Sequence, residues 1–376
     1  MAADGDLISF GSPDRESRGP RWPGRPPRWA GWLLLGAAVA AGVTVLATGS
    51  AGRHRPAPRP AVTVTETGRR LLGVRARWEL FGFGPAGVLS IQPATGRITR
   101  TAIPPLESTG PVSFLVGPHQ AIVRPLDFVP GYLVPDGQPA RALTGLLNDG
   151  GPVLPGPQPG EVWVVTGDSQ HSALTLARLG GQRLASVPIP IGGPVPLSAT
   201  PDGSGGVLLT GPDGTFDVQP GGLRRVALQP LAVGPGRWLA VTCPGHRHRC
   251  ADVVIDSATG AQRTLPGPVL PHTPLTLWPP GVIAPDGAAA AILEPGPGGL
   301  SARLLDLRSG ASRVLNVAVS QDVVSETMAW SPDSQWLFLV TGTGAVRAVN
   351  ARTGQVASLA VRLPFISEIA VRAAPG

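Results

Sequence analysis

The sequence predicts an all-β fold, a seven-bladed β-propeller that is closed by its own C-terminal strand and preceded by one transmembrane helix. Three observations predict this. Turn glycines recur at the spacing of one propeller blade, and the last residues of the chain repeat an earlier inner strand. An uncharged apolar segment near the N-terminus is also long enough to cross a bilayer.

A glycine that follows an apolar run and precedes a short polar strand occurs seven times in the chain. The successive spacings are 41, 44, 41, 38, 50 and 44 residues, close to the length of a four-stranded blade. Tight hairpin turns require positive φ, which glycine adopts at little cost. We therefore expect the following glycines between the third and fourth strands of seven blades: Gly96, Gly137, Gly181, Gly222, Gly260, Gly310 and Gly354.

A second series of turns precedes these glycines and consists of a proline followed closely by Gly, Asp or a polar residue. Each proline lies 19 to 25 residues before a turn glycine, which leaves room for two strands. The series predicts the turn after the inner strand of blades two to seven, at Pro118, Pro159, Pro201, Pro235, Pro285 and Pro332.

The first blade lacks an inner strand, since only the segments WELFGFG, GVLSIQ and RITRTAI are available to it. The chain end supplies a replacement. Residues 365–376, FISEIAVRAAPG, repeat residues 323–334, VVSETMAWSPDS, 42 residues later. We expect this final strand to close the ring, which removes the open sheet edges that promote aggregation.

Met328–Leu359, with the sequence MAWSPDSQWLFLVTGTGAVRAVNARTGQVASL, resembles a repeat of the TolB and WD-repeat class of propellers. The Trp-Ser-Pro-Asp turn and the Asn-x-x-Thr-Gly hairpin of that class are both in place. The resemblance covers roughly residues 70–376 at the level of fold, and only this one unit matches well. It implies a protein that binds a partner and names no particular ligand.

Residues 29–48, WAGWLLLGAAVAAGVTVLAT, carry no charge and predict a transmembrane helix with Trp29 and Trp32 at the interface. Five arginines precede the segment and three follow it closely, so the positive-inside rule places the N-terminus in the cytoplasm. A cleaved signal peptide is the alternative interpretation. The remaining boundaries are a disordered basic cytoplasmic tail at 1–28, a Pro-rich spacer at 49–68 and the propeller at 69–376.

The net charge of +7 divides unevenly along the chain. The first 65 residues carry +4, and the rest only +3 because 23 arginines face 20 acids. This balance argues against a propeller that binds nucleic acid.

Cys243 and Cys250 border the segment CPGHRHRC between a second and a third strand. They would face each other across a hairpin, and a disulfide persists outside the cytoplasm, so we expect them to form one. The alternatives are a zinc site made of Cys243, His246, His248 and Cys250, whose spacing matches no familiar finger, and two free thiols.

Several basic side chains fall in loops that the blade pattern assigns to one rim of the propeller. They could bind an acidic protein or an anionic polymer, or they could be ordinary solvated loop residues. This candidate rim comprises His171, His246, Arg247, His248, Arg249 and His272.

We expect a membrane-anchored extracytoplasmic module that binds a protein or polymer in the cell envelope, without enzyme activity or cofactor. No nucleophile elbow, phosphate loop, zinc-helix motif or paired-carboxylate motif occurs in the sequence. The inner-strand starts that can be recognised, SFLVG, PLSAT, LAVG, GVIA and MAW, are small and apolar. The alternative is a propeller enzyme, a quinone-dependent dehydrogenase or a hydrolase, that acts on a small molecule or glycan.

Overall fold

The computed structural model describes residues 62–75, 77–106, 110, 112–126, 129–149, 151–167, 172–189, 198–211, 214–226, 228–243, 250–270, 281–296, 299–320 and 326–373. All of them belong to the second of two compact units, Pro58–Gly376. The predicted transmembrane segment, residues 29–48, and the cytoplasmic tail, residues 1–28, lie outside the described residues. Among the residues that are described, no helix is long and apolar enough to cross a membrane.

The described chain is almost entirely β-structure, with one short helix, α1 (Leu146–Asp149). The first strands are β1 (Val62–Glu66), β2 (Trp78–Gly84), β3 (Gly87–Gln92), β4 (Arg97–Thr101), β5 (Val112–Val116), β6 (Gln120–Pro125), β7 (Tyr132–Pro135), β8 (Arg141–Ala142), β9 (Val153–Pro155), β10 (Glu161–Gly167), β11 (Ser172–Arg178), β12 (Arg183–Pro188), β13 (Ser198–Pro201), β14 (Val207–Gly211), β15 (Gly214–Gln219) and β16 (Gly222–Val226). The remaining strands are β17 (Pro230–Gly234), β18 (Arg237–Thr242), β19 (Ala251–Asp256), β20 (Gln262–Thr264), β21 (Gly281–Ile283), β22 (Ala289–Gly296), β23 (Gly299–Asp306), β24 (Ser312–Val319), β25 (Met328–Trp330), β26 (Trp336–Val340), β27 (Val346–Asn350), β28 (Val356–Ser358) and β29 (Glu368–Ala373).

These strands form antiparallel meanders of four strands each, which we number along the chain. Meander 1 contains β29, β2, β3 and β4, and meanders 2 to 7 contain β5–β8, β9–β12, β13–β16, β17–β20, β21–β24 and β25–β28. Inner strands of neighbouring meanders lie side by side, β29 with β5, β5 with β9, β9 with β13, β21 with β25 and β25 with β29. The arrangement is a β-propeller, as the sequence predicts.

The hydrogen-bonded sheets number six among the described residues, whereas the sequence predicts seven separate blades. The difference arises at one junction. The inner strands β17 and β21 pair in parallel, Ala232 opposite Gly281 and Val233 opposite Val282, and this pairing joins meanders 5 and 6 into one eight-stranded sheet. Gly234 at the end of β17 permits the close approach, because a Cβ there would lie 2.5 Å from Cβ of Ile283 on β21.

The predicted turns are confirmed in both series. Six of the seven glycines lie between the third and fourth strands of a meander, and Gly222 is the first residue of the fourth strand β16. Their φ values run from +67° at Gly137 to +138° at Gly222. Five of the six prolines lie between a first and a second strand, and Pro201 is the last residue of the first strand β13. Beside the prolines, Asp202 Oδ1 accepts the backbone N–H of Gly206 at 2.8 Å and Asp286 Oδ1 that of Ala288 at 2.9 Å. These aspartates therefore close turns.

The C-terminal strand β29 occupies the innermost position of meander 1, antiparallel to β2, with Trp78 opposite Ala373 and Phe83 opposite Glu368. The sequence indicates this position in two ways. The chain end repeats residues 323–334, and the first meander has no inner strand of its own.

Part of the predicted spacer is a strand, which corrects the boundary at residue 68. β1, with the sequence VTVTE, adds to the outer edge of meander 1 and pairs antiparallel with β4, Val64 opposite Thr99. Its alternation of β-branched residues suits an extended strand, and β4 offers a free edge for it.

Tryptophans fix neighbouring meanders to one another. Trp163 and Trp238 are fully buried and donate their indole N–H groups to the backbone carbonyls of Gly205 and Asp202 in the turn of meander 4, at 2.8 and 2.9 Å. Trp78 donates to Asp333 Oδ2 of meander 7 at 3.2 Å. These three tryptophans therefore link the blades to one another through their indole N–H groups.

Arginines of the outer strands form a second set of bridges. Each donates through Nη2 to a backbone carbonyl in the hairpin of the next meander. The pairs are Arg224 with Ser257 at 2.7 Å, Arg263 with Leu307 at 2.5 Å and Arg313 with Ala351 at 2.7 Å.

Candidate functional site

The propeller has two faces, which the strand order defines. The loop face carries the starts of the inner strands and the loops between second and third strands. The turn face carries the proline turns and the glycine hairpins. The inner strands run in the same direction, as the parallel β17–β21 pair illustrates, so that equivalent loops of different meanders lie on the same face.

A disulfide between Cys243 and Cys250 closes the β18–β19 loop on the loop face, with an S–S distance of 2.05 Å. The two strands continue into it from the paired residues Thr242 and Ala251. The bond occupies both sulfurs, so the alternative zinc site made with these two thiolates is excluded for this state of the protein. Between the cysteines the sequence reads PGHRHR, four of whose residues belong to the candidate rim.

The six residues of the candidate rim cannot be located on the structure. His171, His246, Arg247, His248, Arg249 and His272 all lie outside the described residues. The structure does give the strands that flank five of them. β10 and β11 flank His171, and β18 and β19 flank residues 246–249.

An open groove of about 560 Å³ lies on the loop face at meander 4. The end of β14, the start of β15 and the end of β16 form its walls, and Gln229 contributes from the connection to meander 5. Thr210 and Thr215 line it with hydroxyl groups 3.3 Å apart, and Arg225 adds a guanidinium. The groove is therefore polar and carries a basic group, and the meander that follows it in the chain holds the disulfide-closed loop.

Two glutamates stand at the starts of adjacent inner strands. Glu368 begins β29 and is 2% exposed, and Glu326 lies two residues before β25. The strands are fixed side by side there, because Ile369 donates its backbone N–H to the carbonyl oxygen of Glu326 at 2.9 Å.

Glu326 combines an exposed surface with a strongly perturbed carboxyl. Neighbouring protein atoms desolvate the carboxyl even though part of the residue is exposed, and this raises its pKa from 4.5 to about 7. Perturbed carboxyls of this kind occur at functional sites more often than elsewhere.

Sequence reasoning missed this pair. It read the inner-strand starts as small and apolar, from segments that begin after the glutamates. The signal was nevertheless present, because the repeat of residues 323–334 at the chain end also repeats the dipeptide Ser-Glu, at 325–326 and 367–368.

The turn face carries a second charged cluster, which connects the C-terminal strand to meanders 1 and 2. Arg372 donates to Glu79 Oε2 from Nη2 at 2.7 Å and from Nε at 3.2 Å, and its Nη2 also reaches Asp136 Oδ2 at 2.6 Å. Its Nη1 donates to the Gly117 carbonyl at 2.9 Å, and its guanidinium lies 4.6 Å from the centre of the Phe81 ring. Glu79 and Arg372 are both about nine-tenths buried.

A third cluster holds the turn of meander 4. Asp202 is fully buried, and the Gln219 amide donates both to its Oδ2 at 2.8 Å and to Asp217 Oδ1 at 2.9 Å. Burial is the main cause that raises the pKa of Asp217, and the neighbouring Asp202 adds to the effect. Every carboxyl oxygen of these two aspartates accepts a hydrogen bond from a residue of meander 4, so we assign this cluster to structure.

No known family model matches the chain, and no curated protein matches it. Among solved structures it is similar to a functionally unknown protein from Desulfotomaculum acetoxidans DSM 771, at 12% identity and a TM-score of 0.51 over 79% of this chain and 99% of that one. It is also similar to TolB from Acinetobacter baumannii, at 14% identity and a TM-score of 0.44 over 80% of this chain and 67% of that one. A third is a 6-phosphogluconolactonase, described as putative, from Bacteroides fragilis NCTC 9343. It is 10% identical with a TM-score of 0.48, over 79% of this chain and 98% of that one. The strand order of the meanders is that of a β-propeller, so the resemblance to TolB-type propellers is confirmed at the level of fold alone.

Proposed function

We propose that the chain is a membrane-anchored extracytoplasmic β-propeller of seven blades that binds an acidic protein or an anionic polymer on its loop face. The observation that carries the proposal is the disulfide-closed loop with the sequence CPGHRHRC. It presents two arginines and two histidines in six residues, and the disulfide restricts the loop before any partner arrives. Such restriction lowers the entropy that binding would otherwise cost.

Seven blades follow if each four-stranded meander is counted as one blade, including the two that β17 and β21 join. The extracytoplasmic location is supported by the same disulfide, because the cytoplasm keeps thiols reduced. The anchor is the apolar segment 29–48, with the larger number of arginines on its cytoplasmic side.

The polar groove at meander 4 supports a partner that extends along the face. Arg225 lines it, so a polymer or an acidic protein surface could contact both the groove and the loop that follows in meander 5. Binding of this type is driven largely by the release of counterions and weakens as salt is added.

A second candidate function is an enzyme that acts on a small molecule or glycan in the central channel, either a quinone-dependent dehydrogenase or a hydrolase. Glu326 favours it, since a carboxyl whose pKa lies near 7 is suited to general acid or base catalysis at neutral pH. Its neighbour Glu368 would supply a second carboxyl. A Glu326→Gln variant of such an enzyme should lose turnover of a panel of nitrophenyl glycosides and esters, and absence of turnover in the unmodified chain would remove the hydrolase from consideration.

The binding function is tested with the full chain in lipid nanodiscs and fluorescein-labelled poly-L-glutamate as the probe. We expect anisotropy to report binding that falls at least tenfold in the double variant Arg247→Gln/Arg249→Gln. The matched control is Arg347→Gln/Arg352→Gln, which removes the same charge from exposed positions of meander 7. Poly-L-glutamate binding that is absent, or equal in all three proteins, would contradict the proposal.

Location is tested separately. A C-terminal alkaline phosphatase fusion should be active, since that enzyme needs an oxidising compartment, and an inactive but intact fusion would overturn the proposed topology.

A further inference from the structure

We propose that a cleft between meanders 1 and 2 binds a neutral saccharide, independently of the partner proposed for the loop face. The cleft has a volume of about 330 Å³, at the lower end of the range of small-molecule sites. It lies towards the turn face, between the β3–β4 side of meander 1 and the β7–β8 hairpin of meander 2. A ligand of one or two sugar rings suits this size.

The cleft differs from three other junctions between meanders. At each of those junctions an outer-strand arginine reaches the next hairpin and closes the interface. At this one Thr99 stands in the place on β4 that Arg263 and Arg313 occupy on their strands. Arg97 on β4 and Asp136 and Gly137 in the hairpin line an open space. All three are exposed and form the mouth of the cleft.

Charges on the floor of the cleft neutralise one another. Glu79 accepts from Arg372 at 2.7 Å through Oε2 and from the Gln92 amide at 2.6 Å through Oε1. Asp136 at the mouth accepts from the same arginine at 2.6 Å, and Arg97, also at the mouth, balances the second negative charge. A ligand with a net charge would therefore gain little from the lining as a whole, which favours an uncharged ligand.

The walls offer groups that both donate and accept hydrogen bonds. Ser90 and Thr99 face each other across the β3–β4 ladder, and Thr101 follows two residues later on the same face. Val88 and Phe81 add an apolar surface beside them. Sugar hydroxyls donate and accept in the same way, and the C–H groups of a sugar ring pack against apolar side chains, so the lining matches a saccharide.

Saturation-transfer NMR on the full chain in lipid nanodiscs tests the inference, with glucose and N-acetylglucosamine as neutral probes. Gluconate and glucosamine serve as the anionic and cationic counterparts. We expect saturation transfer to at least one neutral probe, and at least tenfold weaker binding of it in Thr99→Leu, which fills the cleft and removes a hydroxyl. Ser358→Leu, on the exposed outer strand of meander 7, is the matched control and should bind as the unmodified chain does.

Thr99→Val, which keeps the shape of the side chain, repeats the test if the leucine variant fails to fold, and it should bind the same neutral probe more weakly than the unmodified chain. The inference is overturned if neither neutral probe shows transfer, if the folded Thr99 variant binds as well as the control, or if a charged probe binds more tightly at the same site. None of these outcomes affects poly-L-glutamate binding, so the two proposals fail separately.

Discussion

At the residue scale, the pKa values of carboxyl groups in the propeller are shifted in opposite directions according to the role of each group. Asp306 accepts the backbone N–H groups of Arg308 and Ser309, both at 2.8 Å, and these bonds, that of Ser309 most strongly, lower the pKa of its carboxyl. The backbone N–H of Thr259 lowers the pKa of the Asp256 carboxyl in the same way. At Glu326 the shift comes from desolvation instead of hydrogen bonding, and desolvation raises the pKa of its carboxyl to about 7.

The sign of the Glu326 effect on stability follows from linkage. Because its pKa is higher in the folded protein than the usual 4.5, the folded protein holds an extra proton between pH 4.5 and 7. The free energy of unfolding therefore falls as pH rises through this window. We expect Glu326→Gln to raise the melting temperature relative to the unmodified chain at pH 8, and the difference to disappear below about pH 4.5.

Thermal unfolding followed by circular dichroism from pH 4 to 9 checks this prediction. Glu66→Gln, on the exposed strand β1, is the control and should leave the pH profile parallel to that of the unmodified chain. A parallel profile for Glu326→Gln as well would show that the Glu326 carboxyl ionises normally.

Sequence reasoning reaches some of these residues and not others. Asp202, Asp286 and Asp333 are recognisable because a turn aspartate is a local feature of three or four residues. Glu326 and Glu368 become a pair only when the ring brings β25 beside β29, although 42 residues separate them. Desolvation of Glu326 is likewise a property of the assembled ring and leaves no mark in its immediate sequence.

At the element scale, the seven hairpin glycines share a conformation but differ in their surroundings. Gly260 and Gly310 have φ of +74° and +73° in equivalent hairpins. A side chain at Gly260 would meet nothing within 4 Å, whereas at Gly310 it would overlap the carbonyl oxygen of Pro266 in the preceding meander. The hairpin of meander 6 is thus pressed against meander 5.

This difference gives a matched pair of variants. We expect Gly260→Ala to lower the free energy of unfolding by about 1 kcal/mol, the cost of placing alanine in the left-handed region. Gly310→Ala should cost about 3 kcal/mol because the overlap with Pro266 is added to the same strain. Urea denaturation followed by tryptophan fluorescence measures both, and equal losses would mean that the two meanders separate without cost.

The spacing of these glycines and of the prolines predicts the strand order within every meander, since both mark turns whose backbone conformation few other residues adopt. Two features of the elements escape that logic. β1 is an addition to a free edge, and the parallel pair of β17 and β21 depends on the distance between two meanders. Both are set by tertiary contacts that no turn signal encodes.

At the scale of the whole molecule, stability depends on how the ring is closed. β29 pairs along β2, and Arg372 near its end joins Glu79 of meander 1 to Asp136 of meander 2. The closing strand thus contributes main-chain pairing with β2. Its Arg372 is also the arginine that pairs with the buried Glu79. Removing one member of a buried ion pair typically costs 3 to 5 kcal/mol, so roughly that much is added to the loss of the strand itself.

Deletion of residues 368–376 should therefore do more than shorten the chain. It leaves the inner edge of β2 unpaired and Glu79 buried without its arginine, and exposed strand edges recruit other chains. We expect a lower melting temperature, a broader transition and larger assemblies than the full chain forms, measured by calorimetry and by light scattering on the same nanodisc preparation. Deletion of residues 374–376 alone keeps β29 and should behave as the full chain. If both deletions unfold alike, the pairing of β29 with β2 contributes nothing to closure, and the ring must be held by the contacts between meanders, of which the tryptophan bonds to Asp333, Gly205 and Asp202 are the strongest candidates.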